Sequence, residues 1–140
     1  MKNVIKIANK LRSSGLRPTK QRVQIAKFLF EREKTFHFTV EELDRWINLK
    51  NKEEKISLAT FYNTVHAFKK AGHLKEILTS NHKSYFDTHT GPHHHFFDLE
   101  NNKLTDIDSE KIKLKDIPNA PKGKSNQDLN AVINIENDSH

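Results

Sequence analysis

The chain contains no cysteine. That absence excludes disulfides, zinc–thiolate sites, iron–sulfur clusters and thiol nucleophiles, so any metal must be held by His, Asp or Glu. Long apolar runs are lacking too. None approaches the roughly 20 residues that a bilayer-spanning helix needs. The opening MKNVIKIANKLRSS is basic and amphipathic, and Lys6, Lys10 and Arg12 break the apolar block of a signal peptide. A cytoplasmic chain with no membrane partner is therefore expected. Hydrophobic residues make up only 34% of the 140. That is thin for one large globule, and suggests a small core, or two small cores completed by a partner subunit.

Acidic charge is scarce in one half only. Residues 1–85 carry 18 Lys/Arg against 8 Asp/Glu, a balance of +10, whereas residues 86–140 carry 6 against 10, a balance of −4. A basic first half suits a polyanionic partner, although a lysine-rich composition has other origins.

Helical signals fill that basic half. Val4, Ile7, Ala8 and Leu11 repeat at helical spacing over Val4 to Ser14, and Gly15 marks a stop. A second helix is expected from Pro18-Thr19, with Val23, Ala26, Leu29 and Phe30 as its buried stripe. Residues 34–38 read as a loop. Thr39 and Glu42 form a capping box for a third helix that buries Leu43, Trp46 and Ile47. Asn48 to Lys55 is polar and reads as a loop. Ser57 caps a fourth helix with Leu58, Phe61, Val65 and Phe68 on one stripe, ended by Gly72. Leu74–Leu78 and Ser84–Asp87 then make a hairpin. Helices followed by a two-stranded hairpin predict a winged helix-turn-helix.

The second half leans toward strands. Phe96–Glu100 and Lys103–Ile107 surround a turn at Asn101-Asn102. Ile112 and Leu114 alternate with lysines, 117–125 reads as irregular, and Leu129, Ala131, Ile133 and Ile135 alternate on one face. A small sheet with two open edges suggests a homodimer. The expected class is α+β: an N-terminal winged helix-turn-helix over 1–87, then a small α/β dimerisation domain over 88–140.

The fourth helix offers small and polar residues suited to a major groove. Ala59 and Thr60 can pack on a thymine methyl, Tyr62 can bond a phosphate, and Asn63 matches adenine. Ser57 stands at the helix N-terminus, which attracts phosphate. Arg17, Lys20 and Arg22 could clamp the backbone, and Lys75 and Lys83 could touch a neighbouring groove. The plain alternative is an ordinary capped helix with solvated lysines.

His93-His94-His95 falls in a strand-like stretch, so His93 and His95 share one face and His94 takes the other. Two histidines so placed can reach one metal, with Asp87 and Asp106 as oxygen donors. A mixed N/O set suits Fe(II), Mn(II), Co(II) or Zn(II), and histidine also serves as an axial haem ligand. Three adjacent histidines could equally form a solvated loop. His66, His73, His82 and His140 are expected at the surface, and His89 is left open.

LRPTKQR, HFTVEEL, ISLATFYNTV, AGHL and YFDTHTGPHHHFF, in that order, resemble the ferric uptake regulator family. The likeness runs from about Leu16 to Ile107, and more loosely beyond. Within the family the chain looks most like the iron response regulator branch of alphaproteobacteria. It has Tyr62-Asn63 where most members have Tyr-Arg, its triplet runs on as HHHFF, and Asp98 and Asn101 stand where most members carry a zinc-binding Cys-x-x-Cys.

The resemblance implies a regulatory metal site of His37, Asp87, His93, His95 and Asp106, and no Cys-bound structural zinc. It implies a homodimeric, non-enzymatic repressor of iron and haem metabolism genes, bound to a double-stranded operator and controlled by haem at His93, His94 or His95 or by Fe(II), Mn(II) or Zn(II). A peroxide- or Mn/Fe(II)-responsive repressor is the alternative in the same family. A haem or metal carrier without DNA function is the alternative from another class. A metallohydrolase using the His-x-His pair lacks an evident general base.

Overall fold

The computed structural model describes residues 2–138, so the expectation for His140 lies outside the described residues. The elements run α1 (Lys2–Ser13), α2 (Lys20–Phe30), β1 (His37–Phe38), α3 (Val40–Asn48), α4 (Leu58–Lys70), β2 (Lys75–Leu78), β3 (Ser84–Asp87), β4 (His93–Asp98), β5 (Lys103–Asp108), a 3-10 turn (Ser109–Lys111) and β6 (Val132–Ile135). This is an α+β chain. None of the described helices is long and apolar enough to cross a membrane.

The chain divides into two compact units. The first holds the residues up to Leu78 together with Lys83–Thr90, and the second holds Thr79–His82 and the chain from Gly91 onward.

In the first unit, local signals set the helix ends. Thr39 and Glu42 cap each other reciprocally at the start of α3. Ser57 accepts the Thr60 N–H at 3.1 Å to start α4. Gly72, at φ +88°, ends α4 in a backbone conformation that glycine adopts without strain. Thr19 is the N-cap of α2, which leaves Pro18 outside the helix rather than in its first turn. The core gathers Leu11, Ile25, Ala26, Leu29, Phe38, Leu43, Ile47, Phe61, Val65 and Phe68.

Three expectations about this core change. Ile25 is fully buried, while Val23 and Phe30 only pack against the core. Leu58 is 43% exposed, because it occupies the first helical position, before the stripe turns inward. Trp46 is only partly buried, stacked on Phe28. A fourth correction concerns His37-Phe38, which is strand rather than loop. It pairs with β3 to give the sheet order β1-β3-β2.

The second unit is a sheet of order β5-β4-β6. β4 pairs antiparallel with β5 and parallel with β6. Phe97, Leu104 and Ile107 are its buried apolar residues. Helical structure among its described residues amounts to the Ser109–Lys111 turn. Ile112 and Leu114 form no strand. Ile133 and Ile135 are 42% and 39% exposed, so the alternating face of β6 is not buried within one chain.

Candidate metal centre and candidate nucleic-acid face

Strand pleating assembles part of the predicted ligand set within each unit. In the first unit β3 is central, and Asp87 stands opposite His37 of β1 and Lys75 of β2. Cross-strand partners share a face, so His37 and Asp87 project together. Asp87 is buried, and its carboxylate accepts the His89 N–H at 2.9 Å. Lys75 is also buried, which corrects its placing as a groove contact; Lys83 is exposed.

In the second unit, His95 of β4 stands opposite Asp106 of β5. His93, His95 and Asp106 each offer a donor atom, all within 4.8 Å of one another. His95 Nε2 lies 3.1 Å and His93 Nε2 3.8 Å from the same oxygen, Asp106 Oδ1. The two imidazoles sit edge to face, centroids 4.5 Å apart. His93 Nδ1 lies 2.9 Å from the Gly91 carbonyl, which can only accept, so Nδ1 carries the proton. In the neutral ring this puts the Nε2 lone pair toward Asp106. Such backbone support is the usual means of fixing a ligand tautomer. Asp106 is half exposed, giving the site an open side, while both histidines are buried.

His94 is used differently. Its Nδ1 accepts the Ala131 N–H at 2.9 Å, which ties the chain just before β6 to β4. As strand alternation predicts, His94 leaves the face that carries its neighbours. All three histidines are buried, however, so a solvated loop is ruled out. The remaining histidines differ among themselves. His66 and His82 are exposed. His73 is half-buried, bonded to Ser14 at 2.8 Å and packed on Phe30 and Phe68. Burial, then the Lys10 charge, pushes its pKa down.

Ala59, Tyr62, Asn63, His66 and Lys69 are exposed along α4, with Thr60 partly so. The hydroxyls of Ser57 and Thr60 lie 2.9 Å apart in the cap, and Ser57 Oγ accepts the Thr60 N–H. Arg22 donates to the Arg17 carbonyl at 3.3 Å. Lys20 pairs with Glu54 at 3.0 Å, and the Tyr62 hydroxyl donates to Glu41. Sequence reasoning missed these two acids, since nothing local distinguishes them from solvated glutamates.

The sequence model of the Ferric uptake regulator family matches residues 13–130. The chain belongs to this family. Curated relatives include the peroxide-responsive repressor PerR of Staphylococcus epidermidis, 34% identical over 97 residues, 69% of this chain and 62% of that protein. The protein of the same name in Staphylococcus saprophyticus is 35% identical over 97 residues, 69% of this chain and 63% of that protein. The chain therefore spans less than two thirds of these relatives. Among solved structures, the ferric uptake regulator of Pseudomonas aeruginosa with manganese superposes at TM-score 0.67, with 24% identity, covering 92% of this chain and 96% of that one. The Campylobacter jejuni peroxide stress regulator gives 0.55 at 21% identity, covering 97% and 94%. At these identities the likeness establishes the shared ferric uptake regulator fold.

Proposed function

We propose that this ferric uptake regulator family member is a transcription repressor that binds operator DNA as a homodimer and is controlled by a divalent metal ion. The observation that carries the reading is the convergence of two buried imidazole nitrogens on one carboxylate, His93 and His95 on Asp106. Mixed nitrogen and oxygen donors suit Fe(II), Mn(II) or Zn(II). On this reading His37 and Asp87 belong to the regulatory ligand set as well. Arg17, Lys20, Arg22 and the exposed face of α4 from Ser57 to Asn63 meet the duplex. The domain division follows the same reading: residues 1–87 read DNA, while 88–140 dimerise and complete the sensor.

Anisotropy of a labelled duplex, selected from a random pool against the protein, tests this. Mn(II) should change the affinity of chelator-treated protein, and Asp106→Ala or His95→Ala should remove the change. Binding indifferent to metal in the unaltered chain would overturn metal control.

The names of the curated relatives favour a second reading, response to peroxide. Oxygen added to the peptide holding His37 or His93, after peroxide treatment of the Fe(II)-loaded but not the Mn(II)-loaded protein, would support it. Unchanged peptide masses would count against it. Tyr62-Asn63 and the HHHFF run remain the features that favour the iron response regulator branch and haem control. The carboxylate shared by His93 and His95 favours a small ion over haem. A haem titration followed by absorption, with and without DNA, separates the two. A chain that takes up metal or haem and binds no duplex would instead be a carrier.

A further inference from the structure

The proposed DNA-facing surface already holds acidic groups of its own chain. Tyr62 donates its phenolic hydrogen to Glu41, 21 residues earlier in the chain, and its ring stacks on His66 one turn along α4, centroids 6.4 Å apart. Glu41 lies in the first turn of α3. A helix N-terminus is a natural seat for phosphate. Glu42, also in that turn, has a local role as the partner of Thr39 in the capping box. Glu41 takes no part in the cap, and is exposed. The hydrogen bond to Glu41 raises the Tyr62 pKa, and burial and the Glu41 charge push it the same way. The Lys20–Glu54 pair repeats the pattern in a weaker form, because both groups are largely solvated.

We infer that Glu41 is an internal competitor for DNA phosphate: its carboxylate occupies the Tyr62 hydroxyl that a phosphate would take, and so limits affinity for any duplex. The inference rests on the reading of α4 as the DNA-contacting helix. Carboxylate and phosphate oxygens accept the same hydrogen bond. An incoming phosphate must displace Glu41 and then remain beside its negative charge, and like charges brought together across an interface oppose binding.

The test is a double-mutant cycle on the full chain, read by anisotropy of a random-sequence duplex across a salt series. Glu41→Ala should tighten binding roughly threefold to tenfold. Tyr62→Phe alone should change it little, because the hydroxyl is already engaged, and in the Glu41→Ala background it should cancel most of the gain. Glu33→Gln, which removes one negative charge from the exposed loop after α2, serves as the charge control, and thermal melts confirm folding. A Glu41→Ala gain no larger than that of Glu33→Gln, or one that survives Tyr62→Phe, overturns the inference and leaves the DNA reading standing. If the unaltered chain binds no duplex even at low salt, the DNA reading fails and the inference fails with it.

Discussion

The helical unit closes its core with Phe38, Phe61, Phe68, Phe86 and their aliphatic neighbours, whereas the strand unit buries Phe97, Leu104 and Ile107 together with His93, His94 and His95. An apolar side chain is stable in a core as it stands. A buried imidazole is stable only when its nitrogens find partners. Here a backbone carbonyl, a backbone N–H and a carboxylate each engage one ring nitrogen, on His93, His94 and His95 in turn. The contrast teaches that apolar transfer carries most of the first unit, whose buried charges Asp87 and Lys75 stand opposite each other on β3 and β2, while polar satisfaction shapes the second. A ligand that improves that satisfaction should therefore act mainly on the second.

The largest effects should come from the two apolar centres. Phe61→Ala and Phe97→Ala each remove a fully buried ring and should cost about 3–5 kcal/mol. The readouts separate them, because Trp46, Tyr62 and Tyr85 all belong to the first unit. Phe61→Ala should lower the melting transition seen by Trp46 fluorescence. Phe97→Ala should chiefly strip amide-exchange protection from β4 and β5. Equal shifts of both signals by both variants would erase the contrast.

Metal comes next. At a hundredfold excess over Kd, Mn(II) should stabilise the protein by about 2.7 kcal/mol, read as slower amide exchange in β4. His95→Ala should abolish the gain. Slowed exchange in α2 and α3 with none in β4 would place the ion elsewhere.

How much of this was legible in the sequence follows the same division. Helix ends in the first unit were readable because each signal is local: Thr39 with Glu42, Ser57 before α4, Gly72 after it. The face shared by His93 and His95 was equally readable, since the pleat alone sets it. The strand at His37-Phe38 was not, because it exists only by pairing with β3, which lies about fifty residues downstream. The parallel pairing of β6 with β4 was hidden for the same reason. Glu41 on Tyr62 was invisible too, a contact between helices that no periodicity records.

His94 tests the claim that polar satisfaction matters in the second unit. His94→Leu keeps bulk but leaves the Ala131 N–H without its side-chain acceptor. The expected cost is about 1–3 kcal/mol, with exchange rising first at β6. In the first unit, Thr39→Ala removes one cap acceptor and should cost about 1 kcal/mol. A cost for His94→Leu below that of Thr39→Ala would weaken the contrast.

The smallest effect is one of pH at the β4–β5 turn. Asp98 accepts the Asn101 N–H at 3.1 Å, the Asn101 side-chain amide at 3.0 Å and the Glu100 N–H at 2.9 Å. These bonds favour the charged carboxylate, the backbone bond from Asn101 foremost, and hold its pKa below the usual aspartate value. A depressed acid stabilises the fold above its unfolded-state pKa and loses that contribution as pH falls through the folded value. This hydrogen-bonded turn links the end of β4 to the start of β5. The Glu100 and Asn101 amide resonances should therefore shift together at a midpoint below the ordinary aspartate range, and Asp98→Asn should flatten the curve. The same shifts should be unaffected by a chelator. A midpoint at or above the ordinary value would show that the bonds do not hold the carboxylate in solution, and the turn would then lose its standing as the link between these strands.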